Sequence, residues 1–298
     1  FEQDIDQVRD FASSNTQNNI AIPLPDGRIV DFKIRNSEVL SAAFEKEHPG
    51  LKALKGISAD GAFSIRFTLS PMGFMGKVRE AATGKTWYFE PLDPQQPGVL
   101  VAYANKDIKM TADNIPQCLT KDPIELEGIV APMGGQRLWA AYGDCLVRTY
   151  RMAVTTTGEY TIGAGGQANA NIRVANSVNN VSEIFERDMT IRFQLVTNNG
   201  LIYTDAGTDP FTNGLNGNTL NEVIGVFNGN PGVAGFDVGI VFGEGTGWGG
   251  GVAYLGGACN NSLKGGSAAG LNPSSTGYGF DNVVAHEIAH QFGAGHTM

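Results

Sequence analysis

The position of its histidines is the feature that most constrains the fold of this chain. Three of the four histidines, His286, His290 and His296, lie within the last thirteen of 298 residues. Residues four apart on an α-helix project within about 40° of one another, so His286 and His290 would direct two imidazoles to one point. We therefore expect this segment to be helical and to present a histidine pair on one face.

The residues around this pair predict how the helix begins, packs and ends. An apolar stripe, roughly opposite the histidines, predicts a face that packs against a core. It consists of Val284, Ile288 and Phe292. Asp281 is placed to cap the first turn. Gly293 is placed to end the helix, because a residue without a Cβ readily takes the left-handed conformation that turns the chain. This turn is expected to bring His296 back toward the other two histidines.

Three imidazole nitrogens form a donor set for zinc that leaves the fourth tetrahedral position open to water. Zinc lowers the pKa of a bound water to about 7. Glu287, adjacent in sequence to a ligand, is expected to take the proton as the water attacks a polarised carbonyl and to deliver it to the leaving amine. The spacing therefore predicts peptide-bond hydrolysis, with Glu287 as general acid and base and His286, His290 and His296 as metal ligands. The fourth histidine, His48, is expected to be an ordinary solvated residue.

The charge of the chain excludes several other classes of function. A formal net charge of -9 and a pI near 4.9 disfavour nucleic acid and anionic membranes as partners, since both require a basic surface. No apolar run approaches the roughly 18 residues of a transmembrane helix. The first residues, Phe1-Glu2-Gln3-Asp4, contain neither an initiator Met nor a secretion signal. We therefore expect that a leader was removed or that the chain was trimmed.

Two halves of different composition meet near Asp144. The first contains 34 of the 51 charged residues, whereas the second contains 28 of the 40 glycines. In the first half, short alternating runs separated by turn formers predict antiparallel strands over residues 29–34, 63–69, 74–78, 86–89 and 99–103. A short helix is expected from Ser37 to about Glu47, with Ser37 as its cap. In the second half, strands over residues 146–155, 189–196 and 237–242 alternate with helices over 167–188 and 219–227, which predicts a layered α/β domain.

A turn-forming segment over residues 204–218 contains two acidic residues, Asp205 and Asp209. These residues are compatible with a calcium ion as a further cofactor, and equally with an ordinary Asx-rich loop. A calcium site needs six or more oxygen ligands, and the spacing does not show whether they converge.

Residues 286–296 read H-E-x-x-H-x-x-G-x-x-H, which is the complete signature of the metzincin zinc endopeptidases. Other segments of the second half resemble the secreted bacterial branch of the reprolysin (adamalysin-like) family. They are LVRTYRMAV and TGEY within residues 146–160, YTD and DPFTNG within 203–214, and GVAYLGGAC over 251–259. The first half is similar to the propeptide of such enzymes, in IPLPDG over residues 22–27 and TLSPMGF over 68–74.

This resemblance implies a secreted, latent precursor with a mixed α/β fold. A β-rich inhibitory propeptide would occupy residues 1–144, with a connector over 106–144. The N-terminal part of a metzincin catalytic domain would follow over 145–298, with a mixed twisted sheet and two long helices, the second carrying the histidine motif. The implied cofactor is zinc. The implied partners are protein or peptide substrates and an activating protease that removes the propeptide.

The resemblance also implies further site residues. The segment Gly250, Gly251, Val252, Ala253 and Tyr254 corresponds to the edge strand that pairs with an extended substrate, a sequence-independent mode of binding. A glycine-rich strand that merely packs closely against its neighbour is the alternative.

The three cysteines form no C-x-x-C pair and allow at most one internal disulfide. By resemblance, a propeptide thiol would occupy the open zinc position, because a thiolate is a better ligand than water. Cys118 is the candidate and Cys145 its competitor. An inert thiol or a Cys118–Cys145 bridge remains open. Cys259 matches a position whose partner in the family lies downstream of the third histidine.

One departure from the family concerns the end of the chain, two residues after His296. Metzincins place a methionine turn well beyond the third ligand, and Met298 is too close to form it. Thr297 also stands where many adamalysin-like enzymes have Asp. We therefore expect a fragment of a protease precursor that binds zinc weakly and cleaves little. The alternatives are a non-enzymatic secreted binding or adhesion module with a vestigial metal site and, less favoured by the short spacing to His296, a zinc aminopeptidase with a glutamate as third ligand.

Overall fold

The computed structural model describes residues 18–92, 99–108, 115–121, 146–198, 200–230, 233, 235–272 and 274–296. The first half forms a seven-stranded sheet in which each strand pairs antiparallel with its neighbour in sequence. Its strands are β1 (Asn18–Pro23), β2 (Ile29–Asn36), β3 (Lys52–Ser58), β4 (Phe63–Ser70), β5 (Gly73–Glu80), β6 (Thr86–Pro91) and β7 (Leu100–Ala104). A short helix, α1 (Ala42–Glu47), connects β2 to β3.

The first sheet encloses its own apolar core on one face. The alternating residues of β2 and β4 supply Phe32, Ile65 and Phe67 to this core, and Phe67 stacks on Phe74 of β5 with ring centroids 4.8 Å apart. The opposite face of the sheet packs against the second half of the chain. Helix α1 begins after Ser41, whose hydroxyl accepts a hydrogen bond from Phe44 N at 3.2 Å. The prediction of Ser37 as the cap is therefore wrong, because the chain is still leaving β2 at that residue.

The second half is built around a six-stranded mixed sheet in the order β10-β9-β11-β13-β12-β8. These strands are β8 (Gln117–Cys118), β9 (Arg148–Thr156), β10 (Ile191–Leu195), β11 (Val238–Glu244), β12 (Gly250–Ala253) and β13 (Ser267–Leu271). Strands β10, β9, β11 and β13 are parallel, β12 is antiparallel to β13, and β8 is parallel to β12. The layered α/β arrangement predicted from the sequence is present.

Four helices cover this sheet: α2 (Gly158–Gly163), α3 (Gln167–Met189), α4 (Thr219–Gly229) and α5 (Gly277–Gln291). Helices α3 and α5 pack on one face, over a core that includes Met152, Val154 and Phe242. Helix α4 packs on the other face, where Phe227 contacts Phe236 with ring centroids 5.0 Å apart. No helix among these described residues is both long and apolar enough to cross a membrane.

The start of α5 differs from the prediction. The N-cap is Thr276, five residues before the expected cap, Asp281. Asp281 instead lies buried inside the helix and accepts hydrogen bonds from Ser177 Oγ at 2.7 Å and Asn180 Nδ2 at 2.8 Å. Both donors are on α3. Asp281, which the local sequence pattern predicts to be a helix cap, thus connects α5 to α3 in the interior of the protein.

Candidate metal centre

Helix α5 and the turn that follows it bring the three predicted ligands together. His290 Nε2 lies 3.0 Å from His286 Nε2, which in turn lies 3.3 Å from His296 Nε2. Gly293 follows the helix with φ +89°, the left-handed conformation expected of it. Val284 and Ile288 are fully buried on the opposite side, so the helix is held by its apolar stripe while the imidazoles converge.

The backbone fixes the protonation of the central imidazole. His290 Nδ1 lies 2.6 Å from Ala294 O, and a carbonyl oxygen can only accept, so Nδ1 carries the proton. Nε2 of His290 is then the nitrogen directed at the other imidazoles and at Cys118. Such a second hydrogen bond on the far nitrogen is what orients metal-ligating histidines in general.

The fourth group at this point is the thiol of Cys118. Its Sγ lies 3.3 Å from His290 Nε2, and its ligand atom and those of the three histidines all lie within 4.8 Å of one another. Strand pairing places it there: Gln117 N donates to Gly249 O at 2.7 Å and Leu119 N to Gly251 O at 2.9 Å. Cys118 is a free thiol in the structure, whereas its competitor Cys145 lies outside the described residues.

This donor set fits zinc. Tetrahedral zinc with nitrogen ligands at about 2.0–2.1 Å separates those nitrogens by about 3.3 Å, close to the observed Nε2 separations. Imidazole and thiolate ligands favour zinc over the hard cations magnesium and calcium. Desolvation, followed by the positive charge of the other two rings, lowers the pKa of His286. A neutral imidazole is the form that binds a metal.

Glu287 lies beside this cluster but is not among its ligand atoms. Its side chain is buried, and Oε2 accepts a hydrogen bond from Thr120 Oγ1 at 3.2 Å. Burial, followed by the electrostatic influence of the neighbouring Cys118 side chain, raises the pKa of Glu287 to about 8. A carboxylate with a raised pKa beside a metal-ligand cluster has the properties of a general acid or base.

The predicted substrate strand lies directly against the cluster. Gly250 to Ala253 form β12, and a Cβ at Gly251 would lie 2.6 Å from Glu287 Oε1. Gly250 has φ +149°, and a Cβ there would fall 2.6 Å from Gln117 C, so this glycine allows β8 to approach. Tyr254 follows the strand and donates its N–H to Gly266 O. The free edge of β12 is occupied by β8, which belongs to the first half of the chain.

A cavity of about 210 Å³ opens next to the cluster. It is bounded by Pro116, Gln117 and Cys118 on one side and by Gly279, Val283 and His286 of α5 on the other. The segment that carries the Cys118 thiol therefore forms one wall of this cavity.

The remaining predicted residues lie elsewhere. Asp205 Oδ1 accepts from Gly207 N at 2.8 Å and Asp209 Oδ2 from Gly158 N at 2.7 Å, so both carboxylates stabilise turns, and calcium stays a prediction. Cys259 is an exposed free thiol. His48 packs on Phe44 with ring centroids 4.5 Å apart and is half-buried rather than fully solvated.

Thr120, a residue of the site, has a role that the sequence did not indicate. The Thr120 hydroxyl contacts Glu287 and also accepts a hydrogen bond from Ala253 N at 2.8 Å. Its only signal in the sequence is its position two residues after Cys118. Thr297 and Met298 lie outside the described residues.

Residues 146–298, about half of the chain, match the model of the reprolysin-like metallopeptidases of family M12B. The matched segment begins just before β9 and contains all three histidines and Glu287. No curated protein matches this chain significantly.

Proposed function

The chain belongs to the reprolysin-like metallopeptidases of family M12B, and from that premise we propose that it is a zinc endopeptidase precursor held latent by its first half. Membership of this family supports zinc-dependent peptidase activity in general. The observation that carries the finer proposal is the convergence of three imidazoles and the Cys118 thiol, with Glu287 beside them. By the same resemblance to secreted enzymes, we propose that it acts outside the cell.

The residues of the site divide the chemistry between them. His286, His290 and His296 would hold the zinc, which when bound supplies a Lewis acid that polarises the scissile carbonyl and acidifies water. Glu287 would accept the proton of the attacking water at a carboxylate oxygen and pass it to the nitrogen of the leaving amine. Thr120 Oγ1, hydrogen-bonded to that carboxylate, restricts its orientation in the latent form.

Latency in this proposal has two parts. The Cys118 thiolate would take the fourth position of the tetrahedron and exclude water. Strand β8 would at the same time satisfy the edge of β12, where the backbone of an extended substrate would otherwise pair. Because both parts belong to one short segment, displacing β8 would open the metal position and the substrate edge together. We propose that an activating protease achieves this by cutting between β8 and β9.

The test measures zinc content and hydrolysis of an unstructured protein such as casein by the full chain, before and after cleavage between β8 and β9. We expect one zinc per chain and activity only after cleavage. Glu287→Ala should keep the zinc and lower the rate by about 10²–10⁴-fold. Glu45→Ala, an acidic residue on α1, serves as the control and should be fully active. Equal activity of the Glu287→Ala and unmutated chains would refute the proposal.

A second candidate is a non-enzymatic binding module whose zinc is structural. It is favoured by one observation, that four protein ligands around one point resemble a closed structural site. Cys118→Ala separates the two candidates. A latent enzyme should retain zinc and gain activity of about tenfold or more, since the fourth position opens while β8 still covers the substrate edge. A structural site should lose stability and metal without gaining activity.

A further inference from the structure

Four basic residues lie directly opposite one another across four strands of the first sheet. Arg35 of β2 pairs with Lys55 of β3, Lys55 with Arg66 of β4, and Arg66 with Lys77 of β5. Residues in such register point to the same face of a sheet, and like charges directly opposite are destabilising. This basic row therefore requires compensation from outside its own sheet.

Helix α3 supplies part of that compensation. Glu186 accepts from Lys55 Nζ at 3.0 Å and also pairs with Arg66 and with Arg192. Glu183 pairs with Lys77 at 3.1 Å. Three further carboxylates lie at the margin, where Asp188 pairs with Arg187, Glu38 with Arg192, and Asp281 faces Lys77. Arg35 at the end of the row takes part in none of these pairs.

The uncovered part of this face forms a cleft of about 620 Å³. Among the described residues, its charged lining comprises six basic residues and two carboxylates, Glu183 and Glu186. The basic residues are Lys33, Arg35, Lys55, Arg66, Arg79 and Arg187. This is a local positive excess in a chain whose formal net charge is -9. A concave surface of one sign concentrates small ions of the opposite sign.

Three of the described basic residues in the cleft form no close ion pair, although the charge of Arg79 interacts with Asp188. Within the part of the chain that the structure describes, Lys33, Arg35 and Arg79 form no ion pair with a carboxylate. Lys33 lies two residues before Arg35 on β2, on the same face of the sheet. Desolvation is the main cause of the lowered pKa values of Lys55, Arg66 and Arg192. The positive charge of Arg35 adds to this lowering in all three residues. The charge of Arg35 therefore acts on neighbours that share the carboxylate of Glu186, while Arg35 itself forms no ion pair with it.

We propose that this cleft binds a tetrahedral oxyanion, a phosphate or sulfate group, between Arg35, Lys33 and Lys55. A guanidinium presents two parallel N–H donors to such a group, and the two lysines add point charges around it. Arg79 lies opposite Ser64, three strands from Lys33, or about 14 Å at the usual strand spacing. A ligand with a second anionic group would reach it, whereas a single ion would not. The site is independent of the metal centre and of the proposed peptidase.

The test follows thermal unfolding of the full chain during titration with sodium sulfate at constant ionic strength. We expect a saturable rise of the unfolding midpoint, and an apparent affinity about tenfold weaker in Arg35→Gln, the usual effect of removing one charge-assisted hydrogen bond. Arg35→Lys should restore part of the affinity. Lys46→Gln removes the same charge from α1, outside the cleft, and should bind like the unmutated chain. Without sulfate, Arg35→Gln should be at least as stable as the unmutated chain, because it relieves repulsion with Lys55.

The source of the anion is distinguished by a second titration with a sulfated oligosaccharide, in the unmutated chain and in Arg79→Gln. Tighter binding that depends on Arg79 would identify a ligand with several anionic groups. Binding equal to that of sulfate and indifferent to Arg79 would identify a single ion. A sulfate response that is not saturable, or that is unchanged in Arg35→Gln, would overturn the proposal, since it would reflect only the general stabilising action of this salt.

Discussion

The two sheets differ in how they make their closest contacts. In the first sheet, consecutive strands pair in a simple order, and the face turned toward α3 presents a basic row that carboxylates of α3 neutralise in part. In the second sheet, the close contacts at the metal centre depend on missing side chains, as at Gly250 beneath β8 and Gly251 beneath Glu287. Among the described residues, β8 is the one strand of the first half that joins the second sheet. The first half is held to the second by a shared apolar core, by a bridge between Leu40 and Leu195 beside β10, by charge across its face and by one short strand at the metal centre.

The charge contact should give the largest effect on stability. Glu186 neutralises Lys55, Arg66 and Arg192, so Glu186→Gln leaves three partly buried cations without their shared carboxylate. Removing one partner of a buried ion pair costs about 3–5 kcal/mol of unfolding free energy. We expect the lower end of that range, measured by urea denaturation, because all three cations retain some access to water.

The matched control for this variant is Glu222→Gln on α4, which loses only contacts to Thr212 in an exposed loop. It should change the unfolding free energy by less than about 1 kcal/mol. Similar losses in both variants would mean that the contact between the two halves does not depend on this carboxylate.

A pair of glycine substitutions compares the two sheets directly. In Gly250→Ala the new Cβ would meet Gln117 of β8, and in Gly76→Ala it would meet Phe67 within the first sheet at 2.6 Å. Overpacking of this kind costs about 1–3 kcal/mol. We expect both variants to lose stability, but only Gly250→Ala to displace β8 and to raise the reactivity of the Cys118 thiol toward a maleimide reagent.

Zinc-loaded protein should be used for this comparison, so that thiol protection reports on the position of β8. Equal thiol protection in the two variants would show that Cys118 is held by the metal alone and that strand pairing contributes little to latency.

The sequence predicted what depends on local spacing. His286, Glu287 and His290 lie on one helix, and Gly293 turns the chain, because these relations span only a few residues. Strands β1 and β3 were not predicted. In β3 the basic residue Lys55 occupies a buried position that only α3, some 130 residues later, makes favourable.

The pairing of β8 with β12 joins residues more than 130 positions apart, and two strand residues carry no periodic signal. Cys118 could be proposed only through a family resemblance, and Thr120 could not be proposed at all. The prediction that Asp281 caps its helix was wrong for a related reason, since its partners Ser177 and Asn180 belong to another helix.

The effect of Asp281 should appear only when the pH is varied, as a change in how stability depends on pH. Burial raises its pKa from 3.8 to about 7 in the folded chain, although Lys77 and the hydrogen bonds from Ser177 and Asn180 oppose this shift. Between these pH values the folded state holds a proton that the unfolded state has released. The contribution of Asp281 is therefore complete below about pH 4 and is lost as the pH rises through 7. Asp281→Asn cannot titrate, so the difference in unfolding free energy between the two chains should shift in favour of the variant across this interval. Urea denaturation at a series of pH values measures this difference, and a difference that stays constant from pH 4 to pH 8 would show that Lys77 keeps Asp281 ionised throughout.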